Sequence, residues 1–268
     1  MEVHHHPQLE SLPAGQAGKR FKEYFFEFIM IFLAVTLGFF AENIRERISD
    51  SHREKEFARE LYAEFYADSI VFDQKTNARL EKEKDCDYLY RYLKDSSLTE
   101  LPKAFYPAYT MVFYMINSFT FEPKDGVLNQ VKNSGSLRYF KNPKLQKLFG
   151  EISVAINNVR YRNEQEYQFF ANPVKLFLQQ HYDFKWLDDL RKMSENSNYL
   201  ELLNLYTSSD TLIRANILNL PSFNREEAAN IVMFYKAMVL SSRTLQLKEY
   251  SNVNHELLDE LRNNYRME

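Results

Sequence analysis

The sequence predicts an all-α protein: an N-terminal transmembrane helix that continues into a long helix, packed with a helical-bundle domain. Three observations carry this expectation. Residues 24–41 form an apolar stretch of eighteen residues with one charge, Glu27, and no proline. Gly 6 and Pro 8 are few in a chain of 268 residues and sit mostly at element boundaries, which leaves long uninterrupted runs for helices. Beyond the apolar stretch, hydrophobic residues recur at helical spacing, and no strand alternation of convincing length is present. The expected organisation is a flexible tail over 1–20, a transmembrane helix over 21–43 and an α-helical domain over 44–268.

Taken in order, residues 1–20 contain His4-His5-His6-Pro7, Pro13, Gly15 and Gly18, the composition of a solvated tail. At about 1.5 Å per residue, the helix over 24–41 just spans a hydrocarbon core about 30 Å thick. A cleaved signal peptide fits less well, because the apolar run is long and ends in Phe39-Phe40-Ala41-Glu42 without a small-x-small cleavage site. After Ala41 no helix breaker occurs until Pro102. Phe57, Leu61 and Phe65 return at i, i+4 and i+8, and Leu80, Tyr88, Leu89, Tyr92 and Leu93 continue the pattern. The run Glu81-Lys82-Glu83-Lys84-Asp85 reads as a solvated face. Asp95-Ser96-Ser97 closes this long helix.

A short apolar helix then opens at Tyr106-Pro107 and runs through Met111, Val112, Met115 and Ile116. A turn at Glu122-Pro123-Lys124-Asp125-Gly126 precedes a short helix to Ser134, with Gly135 suited to a left-handed C-terminal position. Asn142-Pro143 is a cap followed by a first-turn proline. Leu145, Leu148, Phe149, Ile152, Ile156 and Val159 line the helix that follows, which breaks or kinks at Asn172-Pro173. Shorter helices are expected over 186–193, 199–205 and 210–218. Asn224 caps a long terminal helix, with Glu227 placed for a capping box. On that helix Ile231, Phe234, Met238 and Leu245 are expected in the core.

Composition limits function. Lys+Arg 34 against Asp+Glu 37 gives a net charge of −3 with both signs interspersed, so there is no basic stripe to track a phosphate backbone and nucleic acid is not an expected partner. Aromatic residues make up 15%, which reads as a core built on large rings. The single cysteine, Cys86, lies between Asp85 and Asp87, where negative charge disfavours the thiolate. No phosphate-binding loop, zinc-protease helix or nucleophile elbow occurs. His52 with Glu56, and His255 with Asp259, are spaced i, i+4, but neither pair has a third metal ligand, and surface ion pairs are expected. No catalytic residue, metal, cofactor or small-molecule substrate is assigned.

One constellation stands above this background. Glu27, Ile31, Ala34, Gly38 and Ala41 follow one another at spacings of 4, 3, 4 and 3, and so form one stripe on the apolar helix. Ala34-x-x-x-Gly38 is a small-x-x-x-small pair that lets a second helix approach closely. An intramembrane carboxylate is costly, on the order of 2.5–3.5 kcal/mol at a bilayer centre and less near an interface. Glu27 therefore either snorkels to the headgroups or faces the interior of an assembly, where it would bind a proton or cation.

Residues 21–42, Phe21-Lys22-Glu23-Tyr24 onward to Phe40-Ala41-Glu42, preceded by His4-His5-His6-Pro7, resemble a family of uncharacterised single-pass membrane proteins of the Bacteroidota. Asp125-Gly126-Val127-Leu128-Asn129-Gln130, with Asn142-Pro143 after it, is similar to a central segment of related families. The resemblance is specific over residues 4–50 and weaker afterwards. It implies an inner-membrane anchor with an α-helical domain and carries no activity. Lys19, Arg20 and Lys22 form a short basic tail before the first apolar helix, against Arg45, Arg47, Arg53, Lys55 and Arg59 after it. The bare count of three against five favours the C-terminal side as cytoplasmic, but a long C-terminal domain translocates largely regardless of charge and a short basic tail before a first apolar helix is typical of a signal anchor, so the expected C-terminal domain is periplasmic. The expected role is a scaffold or accessory subunit that associates with itself or another membrane protein in the bilayer. The alternatives are an ion-conducting oligomer using Glu27 and an enzyme with a helical pocket.

Overall fold

A computed structural model describes residues 14–267, apart from the side chains of 14–20, 116 and 117. The His4-His5-His6 stretch lies outside the described residues. The fold is all-α, and no strand occurs among the described residues. Helix α1 runs unbroken over Ala14–Asp95, beginning inside the stretch read as a tail and ending at the expected Asp95. The chain divides into two compact units, Met1–Glu56 and Phe57–Glu268.

Within Met1–Glu56, α1 carries the apolar segment. It is long and apolar enough to cross a membrane, with a mean hydropathy of 2.1 over its best window and none of that window buried.

Within Phe57–Glu268, the continuation of α1 is the central helix. Its inward face repeats with strict 3, 4 spacing: Ala58, Leu61, Phe65, Asp68, Phe72, Lys75, Arg79, Lys82, Cys86, Leu89, Leu93. All are buried except half-buried Lys75. It is followed by α2 (Phe105–Tyr109), α3 (Gly126–Asn133), α4 (Pro143–Phe169), α5 (Lys175–His181), α6 (Phe184–Arg191), α7 (Tyr199–Ser208), α8 (Arg225–Ser242) and α9 (Lys248–Tyr265); α4 packs along α9, and α6 on α7. π-helical turns follow α2 at Thr110–Tyr114, join α4 to α5 at Phe170–Val174, and join α8 to α9 at Arg243–Leu247. The expected kink at Asn172-Pro173 is thus a widened turn, which accommodates Pro173 and its missing N–H without ending the helix.

Local signals act as the chain chemistry requires. The Asn142 side chain accepts from the N–H groups of Lys144 and Leu145, with Pro143 in the first turn of α4. Gly135 takes φ 71°, the left-handed conformation. The turn before α3 is held from outside: Glu64 accepts from Val127 N at 3.1 Å, Asp68 accepts from Lys124 N at 2.6 Å, and Arg160 forks onto Asp125 at 2.8 and 3.0 Å. The Arg160 hydrogen bonds hold the Asp125 carboxyl below its ordinary range. A side chain at Gly126 would meet Glu64 Oε2 at 3.3 Å, so the tight approach favours glycine.

Leu61, Phe65, Leu148, Ile152, Ile156 and Met238 are buried as expected, and Phe57 is half-buried. Three expectations are corrected. On α8 the buried stripe is Ala228, Val232, Tyr235, Val239 and Ser242, about one residue round from the expected one. Phe234 is 55% and Leu245 59% exposed, and Phe234 instead meets the Phe169 ring at 5.0 Å. Residues 211–217 are not helical. Other elements hold this stretch: Tyr106 Oη donates to Asn216 O at 2.7 Å, Ile213 N donates to Tyr206 Oη at 3.4 Å, and just after it Leu218 N donates to His181 O at 3.0 Å. The extended strap buries Ile217 and leaves Leu212 outside. Finally, the Glu81–Asp85 run is solvated only in part: Glu81 and Lys84 are exposed, Glu83 and Asp85 are half-buried, and Lys82 is fully buried.

Candidate functional site

The five stripe residues Glu27, Ile31, Ala34, Gly38 and Ala41 all lie on α1 and are all exposed. A Cβ built on Gly38 meets nothing within 4 Å. Their spacing puts them on one helical face, open for a neighbouring helix to approach.

The Phe57–Glu268 unit holds a second, unexpected constellation. Its apolar core forms two clusters. One gathers the Ala58–Phe72 end of the α1 seam, α3, the first half of α4, and α9. The other gathers Cys86–Leu93, α2, α5, α6, α7 and α8 from Ala228 to Val239. Buried polar residues stand where the chain leaves one cluster for the other: Arg79 and Lys82 on α1, Glu166 on α4, and Ser242 at the end of α8 before Leu247 and α9. Arg79 Nη1 and Nη2 donate to the two Glu166 carboxylate oxygens at 2.9 and 3.0 Å, and Arg79 Nε donates to Phe119 O at 3.1 Å. The Ser242 hydroxyl donates to Glu166 Oε1 and accepts from Arg162 Nε at 2.8 Å. The geometry is that of a satisfied bidentate pair, which fixes the helices in register as well as neutralising both charges.

Lys82 is different. Its Nζ donates to Met115 O at 3.2 Å and lies 4.3 Å from the Phe119 ring centre and 4.7 Å from that of Tyr235. No carboxylate reaches it among the described residues. Burial drives its ammonium well below the ordinary lysine range, a shift that nearby Cys86, Glu166 and Asp85 oppose. One turn on, burial also pushes the Cys86 thiol up to about 12. The flanking Asp85 and Asp87 charges, the expected cause, add to this but less than burial does.

Against this polar level opens a cleft of about 740 Å³. It runs between α1, α2 and α7, with Phe119 in its wall. Glu81 and Asp85, one turn apart on α1, face it, and Met111 and Leu203 supply apolar surface. Burial, and then the charge of Glu81, raise the Asp85 carboxyl to about 6. His255 Nδ1 pairs with Ser251 O at 2.7 Å, and Asp259 with Arg262 at 3.1 Å, so the expected His255–Asp259 pair is not formed. No group of three or more His, Cys, Asp or Glu side chains able to hold a metal occurs among the described residues.

Reading the charged run by composition missed Lys82 and Asp85. The signal that locates Lys82 is phase: carrying the seam from Phe65 and Phe72 forward at 3, 4 spacing reaches Arg79, Lys82 and Cys86. Comparison with known proteins gives no match to a family, to a curated protein or to a solved structure.

Proposed function

We propose that this chain is a single-pass inner-membrane protein whose helical domain serves as a scaffold or accessory subunit, associating with a second copy or with another membrane protein. The supporting observation is the apolar helix segment, whose rings and branched side chains are open on every side, Phe25, Phe28, Phe32 and Phe39 among them. Leaving apolar surface in water costs about 25 cal/mol per Å², and a bilayer removes that cost for the whole segment at once. The small-residue stripe then gives a neighbouring helix a place to pack within the membrane, where close van der Waals contact rather than hydrophobicity drives association. The resemblance to the Bacteroidota family supports the inner membrane as the compartment.

The expected result is that wild-type protein, extracted in mild detergent, runs as an oligomer or in complex with a partner, and that Gly38→Leu reduces its size. A branched side chain at Gly38 holds two backbones apart. Wild type and variant that are both monomeric would refute association through the stripe, and equal oligomers would transfer it to the Phe57–Glu268 unit.

In this reading the C-terminal domain is periplasmic. A reporter fused after Glu268 that is active only in the periplasm is the expected outcome. Activity only in the cytoplasm reverses the orientation and makes the domain a cytoplasmic one.

A further inference from the structure

We propose that the cleft between α1, α2 and α7 binds a small organic cation, an ammonium group carried on an apolar body of aryl or branched-alkyl size. This site is independent of the membrane stripe, and it does not rest on the association proposed above.

Size comes first. A cleft of about 740 Å³ falls in the range, about 300–1,000 Å³, of pockets that take small molecules. Its chemistry is one-sided. Glu81 and Asp85 bring two carboxylates to one wall, and the lining contains no lysine, arginine or histidine. Glu81 has an exposed ion pair with Lys84 at 2.7 Å. Asp85 has neither a hydrogen bond nor an ion pair among the described residues, although it is half-buried. The charges that act on it are those of its own helix: Glu81 repels it, while buried Lys82 and exposed Lys84 attract it.

An unpaired, partly desolvated carboxylate is a cost with no structural return in the folded chain, which is the pattern of a group kept for a ligand. A cation placed between Asp85 and Glu81 cancels their mutual repulsion, and its attraction for both carboxylates offsets the cost of their lost hydration. Half-buried Tyr88 also lines the cleft, and its ring can attract an ammonium further. Met111 and Leu203 give the ligand's carbon skeleton an apolar seat. A compact inorganic cation would leave that seat empty, and an anion would meet two like charges. The mixed lining therefore selects an organic amine.

The test uses the full chain in mild detergent and three probes of one shape: phenethylammonium, 2-phenylethanol and phenylacetate, titrated by calorimetry. Phenethylammonium is expected to bind saturably and about tenfold or more tighter than the alcohol, with no phenylacetate binding. Asp85→Asn, which keeps size and folding, is expected to lower the amine's affinity about tenfold and leave that of the alcohol unchanged. Glu81→Gln should do the same to a smaller degree. Ala104→Trp, at the exposed rim, should weaken the amine and the alcohol together by filling the cleft. The proposal is overturned if no saturable amine binding occurs up to about 10 mM, if amine and alcohol bind alike, or if Asp85→Asn binds the amine as wild type does. It is also overturned if only a lysine-bearing peptide binds, since the site would then recognise a protein partner.

Discussion

Glu166→Gln is expected to destabilise the Phe57–Glu268 unit by about 3–5 kcal/mol, the cost of breaking a buried ion pair by removing one partner. Glutamine keeps the volume and most of the hydrogen-bonding capacity, so the loss comes from the charge. Arg79 is 2% exposed and has its guanidinium committed to Glu166 and to Phe119 O. With a neutral partner it is a buried cation in a region that already holds Lys82. The Ser242 hydroxyl and, through it, Arg162 also lose their anionic anchor. The measurement is reversible denaturant unfolding of the full chain in detergent. A double variant, Arg79→Met with Glu166→Met, should lose much less than the sum of the two single variants, because it leaves no orphaned charge. A Glu166→Gln cost under about 1 kcal/mol, measured against the usual surface substitution, would show that water reaches the pair.

The second large effect has the opposite sign. Lys82→Met is expected to stabilise the protein at pH 7 by about 1–3 kcal/mol, the mutational scale for burying a poorly paired polar group. Methionine matches the length and volume of the lysine stem and keeps the packing on Phe119 and Tyr235. The sign also fixes a pH dependence. The Lys82 ammonium is depressed by burial in the folded state, whereas in the unfolded chain it titrates near about 10.4. Its contribution to stability is therefore complete above the unfolded value and is lost as pH falls towards the depressed folded value. The stability advantage of Lys82→Met should be large at pH 7 and shrink towards pH 10. A variant that is less stable than wild type by the same amount at both pH values would show that the ammonium's contacts with the two rings and Met115 O outweigh its burial.

The two effects together describe how this core is built. The ionic level lies where two apolar clusters meet, and α1, α4 and α8 supply its residues. Sliding one helix by a turn would bury Arg79 or Glu166 in an apolar cluster without its partner. The level thus penalises wrong registers more than it strengthens the right one.

What the sequence determined alone is what depends on neighbours a few residues apart. Scarce glycine and proline and helical periodicity gave the all-α class. The run from Tyr24 allowed a membrane-length helix, and Asn142-Pro143, Gly135 and Asp95-Ser96-Ser97 placed three boundaries, because capping, left-handed φ and helix propensity are local properties. The burial of Lys82 was also written there, in the phase of the α1 seam, but the charge of the run Glu81–Asp85 argued against it. Only the tertiary structure decided the rest. Arg79 and Glu166 are 87 residues apart, and nothing local to either names the other. Phe234 and Tyr235 both suit a core, and the choice between them fell to the surface that α8 meets, which favours the face through Val232, Tyr235 and Val239. Residues 211–217 have the composition of a helix, yet they are not helical, and Tyr106 and Tyr206 hydrogen-bond to their backbone. The cleft exists only because α1, α2 and α7 converge, so half-buried Asp85 and exposed Glu81 come to line one space with Met111 and Leu203.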